Sequence, residues 1–385
     1  MGVDKRNILR VHKLEPHVVD PSNLAPTLDV LEEAIAGQRA IAPLPIDDPG
    51  RAQLLRRSLR VGEEIEPEVA LVVATSGSTG TPKGAMLTPL NLVSSADATH
   101  QFLGGEGAWL LAMPPHHIAG IQVLVRSLIA GIDPASVDVR GGFHVPTFAT
   151  AAARLAEEAD RRYTSLTPMQ LLKAMDTLVG IEALRLFDAI LVGGAPLRAD
   201  DRRAARELGI RVVSTYGSSE TSGGCVYDGR PIPGARVRIV DERIHLGGPM
   251  IARGYRNVPS DAFRDGWFVT SDTGYLDGGV LTVTGRLDTI IDSGGLKIHP
   301  EVLERRMTDL PSVKAACVVG VPDTRLGQAI CAVYVGTAQP TDIIEALDDL
   351  PRWQLPKQIL RVDSLPLTGP GKVDRRAVIS LFDAT

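Results

Sequence analysis

Thr75-Ser-Gly-Ser-Thr-Gly-Thr-Pro-Lys-Gly84 is the stretch on which the reading of this chain turns. It follows Val69-Ala-Leu-Val-Val-Ala74, a short apolar, β-branched run that reads as a buried strand. A helix is expected to begin soon after it, near Pro89. Gly77, Gly80 and Gly84 free the backbone to turn N–H groups inward into a concave anion nest. The hydroxyls of Thr75, Ser76, Ser78 and Thr79 add donors, and Lys83 adds a positive charge. That composition suits a polyphosphate. Pro82 rather than Gly precedes Lys83, so the spacing is not that of a Walker A loop. On composition alone, a flexible surface turn is the competing reading.

Outward from this loop, apolar runs at Trp109–Met113, Tyr163–Leu166, Ala189–Val192 and Ile210–Ser214 read as further strands. Helical patterns separate them at Ala119–Ala130, Ala151–Arg161, Pro168–Thr177 and Ala199–Leu208. Strands alternating with helices argue for βαβ units and a mainly parallel sheet. Between Ala235 and Thr284, short strands and Gly-rich turns suggest a small β subdomain. A second alternation follows, with strands at Thr289–Asp292 and Val313–Val321 and helices at Glu301–Asp309 and Thr341–Asp349. The expected fold class is therefore α/β: a large domain over 1–287, then a small α+β domain over 288–385. Residues 1–66 are mixed and punctuated by proline, and no fold is assigned to them.

A length of 385 residues exceeds one ordinary domain. A hydrophobic share of 44% leaves ample material for cores, and the net charge of −5 comes with no long basic run. Nothing in that balance points to nucleic acid or to an anionic membrane. Cys225, Cys317 and Cys331 lie far apart, with no CxxC pair, which argues against a disulfide framework or structural zinc. No secretory signal or apolar run long enough to span a bilayer is evident, so a cytoplasmic protein is expected.

Seven segments in collinear order carry a resemblance. The loop at 75–84 resembles the phosphate-binding signature of the acyl-adenylate-forming (ANL) superfamily, with its acyl-CoA synthetases, luciferases and peptide-synthetase adenylation domains. Tyr216-Gly-Ser-Ser-Glu-Thr221 resembles that family's Tyr-Gly-x-Thr-Glu motif. The resemblance implies that Tyr216 and Gly217 lie near adenine, that Thr221 lies near the phosphates, and that Glu220 binds Mg²⁺. Ser219 stands where threonine is commoner. Val192-Gly-Gly-Ala-Pro196 would line the adenine and acyl sites through Gly193, Gly194 and Ala195. Ser271-Asp-Thr-Gly274 matches the ribose-binding aspartate, giving that role to Asp272, where a carboxylate suits a vicinal diol. Gly285-Arg-Leu-Asp288 matches the hinge motif, with Arg286 a second ribose contact and Asp288 the pivot. Met113-Pro-Pro-His-His-Ile-Ala-Gly120 corresponds to the acyl-pocket motif and sets His117 toward the substrate carboxylate. Pro366-Leu-Thr-Gly-Pro-Gly-Lys-Val-Asp374 fits the mobile catalytic loop, with Lys372 bridging the attacking carboxylate and the α-phosphate. Standing alone, most of these would read as ordinary turns with solvated charges.

The resemblance implies two half-reactions: a carboxylate and ATP give acyl-AMP and pyrophosphate, then a thiol, coenzyme A, takes the acyl group. It implies a mobile C-terminal domain whose Gly294-Gly295-Leu-Lys297 face lines the thiol channel, where Lys297 meets coenzyme A phosphates or stays solvated. The short segment before the loop, together with Gly223-Gly-Cys-Val-Tyr-Asp-Gly229, resembles the actinobacterial o-succinylbenzoate–CoA ligases of menaquinone biosynthesis. Such a substrate has a second carboxylate that needs a cation or several donors. Gln170 and Lys173, three apart on one helical face, sit in a segment similar to that ligase family's acyl pocket, beside Gly194, Gly217 and Ser218. Lys173, or a water it orders, would meet the aryl carboxylate. The alternatives are a CoA ligase for another aryl or fatty acid, an adenylation enzyme loading a carrier protein, or a non-catalytic nucleotide-binding protein. Since relatives are often dimeric, a homodimer is expected.

Overall fold

The structure is a computed structural model that describes residues 12–75, 82–368 and 372–382. Internal packing divides it into two compact units, Met1–Val237 with Leu246–Val269, and Arg238–His245 with Thr270–Thr385.

The first unit opens with a four-stranded sheet in the order β1 (Leu14–Val19), β2 (Ala40–Pro45), β3 (Leu71–Thr75), β4 (Lys83–Leu87). β1, β2 and β3 are parallel and β4 returns antiparallel to β3, pairing Thr75 with Lys83. The strand expected at Val69–Ala74 is therefore β3. β4 was not anticipated, because Lys83-Gly-Ala-Met-Leu87 carries no β-branched residue and becomes a strand only through its partner. β1 and β2 were hidden by Pro16, Pro43 and Pro45, which cannot donate to a ladder. β2 tolerates its prolines because its pairing with β3 is confined to Ile41 and Leu71.

The second sheet has the order β11 (Arg230–Pro231), β10 (Gly223–Tyr227), β9 (Val212–Ser218), β8 (Ala189–Val192), β7 (Arg162–Leu166), β5 (Ala108–Leu111), β6 (Ala135–Ser136). From β9 through β6 all neighbours are parallel, as the alternating pattern predicted. Helices Val145–Glu158 and Leu178–Arg185 enclose one apolar core with Phe148, Leu166, Leu184 and Ile190. Helices Pro89–Leu103 and Ile118–Ala130 pack on each other, and Trp109 and Tyr227 are fully buried. Local chemistry starts these helices where the sequence says. Thr88 and Asn91 form a capping box ahead of Pro89, and Thr167 and Gln170 form another ahead of Pro168. The helix expected from Ala151 instead begins at Val145, with Pro146 in its first turn.

Strands Arg236–Val240, Arg243–Gly247, Phe263–Arg264, Trp267–Asp277 and Val280–Arg286 make a further small sheet. The last sheet, in the second unit, joins Leu296–Ile298, Ile291–Ser293, Gly327–Gly336 and Val313–Asp323, with Gln358–Arg361 parallel to Gly327–Gly336. Helix Pro300–Thr308 buries Leu303 and Met307 against it. Among the described residues, no helix is long and apolar enough to cross a membrane.

Candidate functional site

Four of the segments singled out in sequence emerge from the carboxyl ends of four adjacent parallel strands. β5 leads to Met113–His117, β7 to Thr167–Lys173, β8 to Gly193–Ala195, and β9 ends in Tyr216-Gly-Ser218. Ligands of open α/β sheets settle at this edge, because the loops there converge while the strands hold them rigidly.

Two glycines on this edge are sterically required. A Cβ on Gly193 would lie 2.3 Å from Thr215 Oγ1, and one on Gly217 would lie 2.1 Å from Gly223 O. Gly194 has φ of +84°, so the chain turns sharply beside Ala195. Beyond β9 a 3₁₀ turn, Ser219–Thr221, carries Glu220, which is 7% exposed. Thr221 Oγ1 accepts from Ser218 N at 2.9 Å and contacts Gly223 O at 2.6 Å, so its hydroxyl holds the turn.

The 3₁₀ turn packs on β3 and β4, the strands that flank the phosphate loop. Thr75 and Lys83 are thereby placed on the same part of the unit as Glu220. Ser76, Gly77, Ser78, Thr79 and Gly80 lie outside the described residues. Lys83 Nζ sits 5.0 Å from the centroid of the Tyr255 ring, and Tyr255 Oη donates to Glu220 Oε1 at 2.7 Å. Burial, followed by the charge of Glu220 and this hydrogen bond, pushes the Tyr255 hydroxyl far above its ordinary pKa. Sequence reasoning missed Tyr255, since a tyrosine in Ala252-Arg-Gly-Tyr255 shows no local pattern.

On the acyl side, His117 is the N-cap residue of helix Ile118–Ala130, and its ring centroid lies 4.2 Å from that of His116. Burial, ahead of the neighbouring charges, lowers the pKa of His116. Gln170 is committed to the scaffold: Oε1 accepts from Thr167 N at 2.8 Å, and Nε2 donates to Ala112 O at 2.8 Å. Lys173 Nζ donates to Phe143 O at 2.8 Å.

Arg126 is the unanticipated residue here. It is 3% exposed, lies over the Trp109 ring at 4.8 Å, and reaches Tyr227 Oη at 3.4 Å. Its Nε has no partner, and no ion pair to Arg126 occurs among the described residues. Burial lowers its pKa. Arg126, the one charged residue in the run Ile118–Ala130, was the available signal.

In the second unit, Asp272 and Arg286 face each other across antiparallel strands, with Arg286 Nη1 donating to Asp272 Oδ1 at 3.0 Å. The same guanidinium grips Asp288 through Nε and Nη2, both at 2.8 Å. Three residues from two sequence segments thus form one cluster. Gly294 and Gly295, at φ of +63° and +81°, make the two-residue turn between Ile291–Ser293 and Leu296–Ile298. Lys297 is exposed beside that turn. Lys372 O accepts from Thr368 N at 2.7 Å, and Leu367 bridges Val373, closing the base of the loop that carries Lys372.

The sequence profile of the AMP-binding enzymes matches residues 12–256, and that of the AMP-binding enzyme C-terminal domain matches residues 303–372. The chain belongs to the AMP-binding enzyme family. A probable 2-succinylbenzoate–CoA ligase of Mycobacterium tuberculosis is 46% identical to this AMP-binding enzyme over 378 residues, 95% of this chain and 97% of the relative. The 2-succinylbenzoate–CoA ligase of Enterococcus faecalis is 30% identical over 352 residues, covering 79% of this chain and 68% of its own length. Among solved structures, an E. coli MenE variant with bound OSB-AMS superposes with a TM-score of 0.76 at 25% identity, covering 97% of this chain and 88% of that one. Bacillus subtilis o-succinylbenzoate coenzyme A synthetase (MenE), in complex with ATP and magnesium ion, gives a TM-score of 0.69 at 25% identity, covering 93% and 83%.

No group of three or more His, Cys, Asp or Glu side chains suited to a metal occurs among the described residues. Mg²⁺ does not need one, because it keeps its waters and binds through one or two carboxylates plus substrate phosphates. Glu220, buried, hydrogen-bonded by Tyr255 and beside the strands of the phosphate loop, fits that requirement.

Proposed function

We propose that the chain is a 2-succinylbenzoate–CoA ligase, joining the succinylbenzoate carboxylate to coenzyme A at the expense of ATP, in menaquinone biosynthesis. One observation carries the reading. The 46% identity to the M. tuberculosis relative extends over an alignment of 378 residues, 95% of this chain and 97% of the relative, which supports a shared substrate as well as shared chemistry.

In the first half-reaction the carboxylate oxygen attacks the α-phosphorus of ATP, and the bond to pyrophosphate breaks. The nucleophile is already charged, so the protein's work is positioning and charge neutralisation. Lys83 and the loop 75–80 are assigned the β- and γ-phosphates. Magnesium, held by Glu220 and the phosphates, would offset the charge on the departing pyrophosphate. Tyr216 and Gly193–Ala195 are assigned the adenine, Asp272 and Arg286 the ribose, and His117 the reacting carboxylate. Lys372 would stabilise the charge that builds between carboxylate and α-phosphate. In the second half-reaction the thiolate of coenzyme A attacks the acyl carbon, and the C–O bond to AMP breaks. A pivot at Asp288 between 1–287 and 288–385 would exchange Lys372 for the Gly294–Lys297 turn.

The unreacting carboxylate needs a cation. Arg126 suits it better than Lys173, whose ammonium already donates to a carbonyl. A guanidinium keeps its proton, and its burial without a carboxylate is costly unless a ligand supplies one. Thioester formation from MgATP, coenzyme A and a panel of carboxylates tests the assignment. Turnover confined to 2-succinylbenzoate is expected. Turnover of a different acid would keep the chemistry and discard the substrate, and acyl transfer only to a carrier protein would discard coenzyme A.

A further inference from the structure

The segment Ala252–Asn257 belongs to none of the phosphate, adenine or acyl segments, yet it ties two of them together. At one end Ala252 N donates to Glu220 O at 2.8 Å. Along its middle, Arg253 N donates to Met86 O at 3.0 Å, Tyr255 bridges Ala85, and Arg256 N donates to Gly84 O at 2.8 Å. At the far end Asn257 Oδ1 accepts from Gly84 N at 3.0 Å while its Nδ2 donates to Pro82 O at 2.9 Å. The backbone of this segment is therefore pinned to both the turn that carries Glu220 and the residues on either side of Lys83.

Tyr255 is the side chain that this clamp aims inward. Its hydroxyl takes one oxygen of the Glu220 carboxylate at 2.7 Å, and its ring lies under the Lys83 ammonium at 5.0 Å. The ring edge packs on Phe263, with centroids 5.1 Å apart. A carboxylate with one oxygen held by a neutral donor loses its freedom to rotate, so the direction of its second oxygen is set. An ammonium over an aromatic face is likewise held in place without being neutralised.

We propose that Tyr255 is a positioning residue: it orients Glu220 for the magnesium of MgATP and seats Lys83 for the phosphates, coupling the metal carboxylate to the phosphate-loop cation. The inference rests on the ATP-dependent reading above. Partners that orient a metal ligand from behind are commonly worth about 10–100-fold in metal affinity or activity.

The test is titration calorimetry of ATP onto the whole protein at a series of free Mg²⁺ concentrations, with Tyr255→Phe as the first variant. Phenylalanine keeps the ring under Lys83 and the contact with Phe263 and removes only the hydroxyl. The Mg²⁺ needed for half-maximal ATP binding is expected to rise by about 10-fold or more, with ATP affinity at saturating Mg²⁺ unchanged. Tyr255→Leu should also weaken ATP binding at saturating Mg²⁺, because Lys83 loses its platform. In a Glu220→Gln background the hydroxyl has no carboxylate to orient, so adding Tyr255→Phe should produce no further shift. An unshifted Mg²⁺ dependence in Tyr255→Phe, an equal loss at every Mg²⁺ concentration, or additive effects with Glu220→Gln would each overturn the proposal. If no acid is turned over by the wild type, the ligase reading fails, while the binding titration still decides the role of Tyr255.

Discussion

Arg375, three residues after Lys372, is held in a two-point grip by Glu304: Nη1 lies 2.8 Å from Oε1, and Nη2 donates to Oε2 at 3.0 Å. Arg375 Nη1 also donates to Val318 O at 2.6 Å, and Glu304 Oε1 accepts from Val318 N at 2.8 Å. The chain leaving Lys372 is thus fastened to a helix and a strand of its own unit. Burial raises the pKa of Glu304 despite the pull of Arg375, and charge partners raise that of Arg375 against its own burial.

Removing one partner of such a pair leaves a partly buried charge uncompensated. Glu304→Gln is expected to lower stability by about 3 kcal/mol, the low end for a buried pair because Arg375 keeps some solvent exposure. Chemical denaturation measures this, and a change below about 0.5 kcal/mol would show that the grip is a surface contact.

Lys372 is assigned to only one half-reaction. Lys372→Ala should slow pyrophosphate release by about 100- to 1,000-fold, the usual cost of removing a transition-state donor. Thioester formation from synthetic acyl-adenylate should stay within a few-fold of wild type. Equal losses in both assays would place the lysine elsewhere in the reaction.

Arg126 and Lys173 make separable claims on the second carboxylate. Arg126→Met should raise KM for 2-succinylbenzoate at least about 10-fold, the size of one charge-assisted contact, with KM for ATP unchanged. It should leave the folded protein intact or more stable, since it removes an unpaired buried charge. Lys173→Ala should leave that KM unchanged. The reverse pattern would return the role to Lys173.

His100 carries a pH signature. Burial, helped by the charge of Arg126, lowers its pKa to about 4, and Nε2 accepts from Trp109 Nε1 at 3.2 Å. The ring is neutral in the folded state, whereas the unfolded chain takes up a proton near pH 6.5. Stability from this group is therefore complete above pH 6.5 and is lost as pH falls from 6.5 to about 4. The loss amounts to about 3 kcal/mol. Denaturation midpoints across that window should slope steeply in wild type and less so in His100→Gln. Parallel slopes would assign the acid sensitivity to other groups.

What could be read locally was read well. The alternation of strands and helices from Trp109 to Ser214 survives as β5, β7, β8 and β9, with the two-residue β6 unanticipated, because periodicity and caps depend on residues only three or four apart. Thr167-Pro168 and Gln170 announce a helix start from their own chemistry, and that chemistry is also what consumes the Gln170 side chain.

The loop composition at 75–84, the parallel sheet and the order of the site segments are legible in sequence, since each depends on neighbours along the chain. Packing between distant segments is what makes Lys83 begin a strand, sets Pro43 and Pro45 inside a sheet, and buries Arg126 against Trp109. It alone joined Tyr255 to Glu220, 35 residues apart, and Arg375 to Glu304, 71 apart. Such contacts form when packing brings distant backbone together, and a single side chain's identity carries no record of its partner.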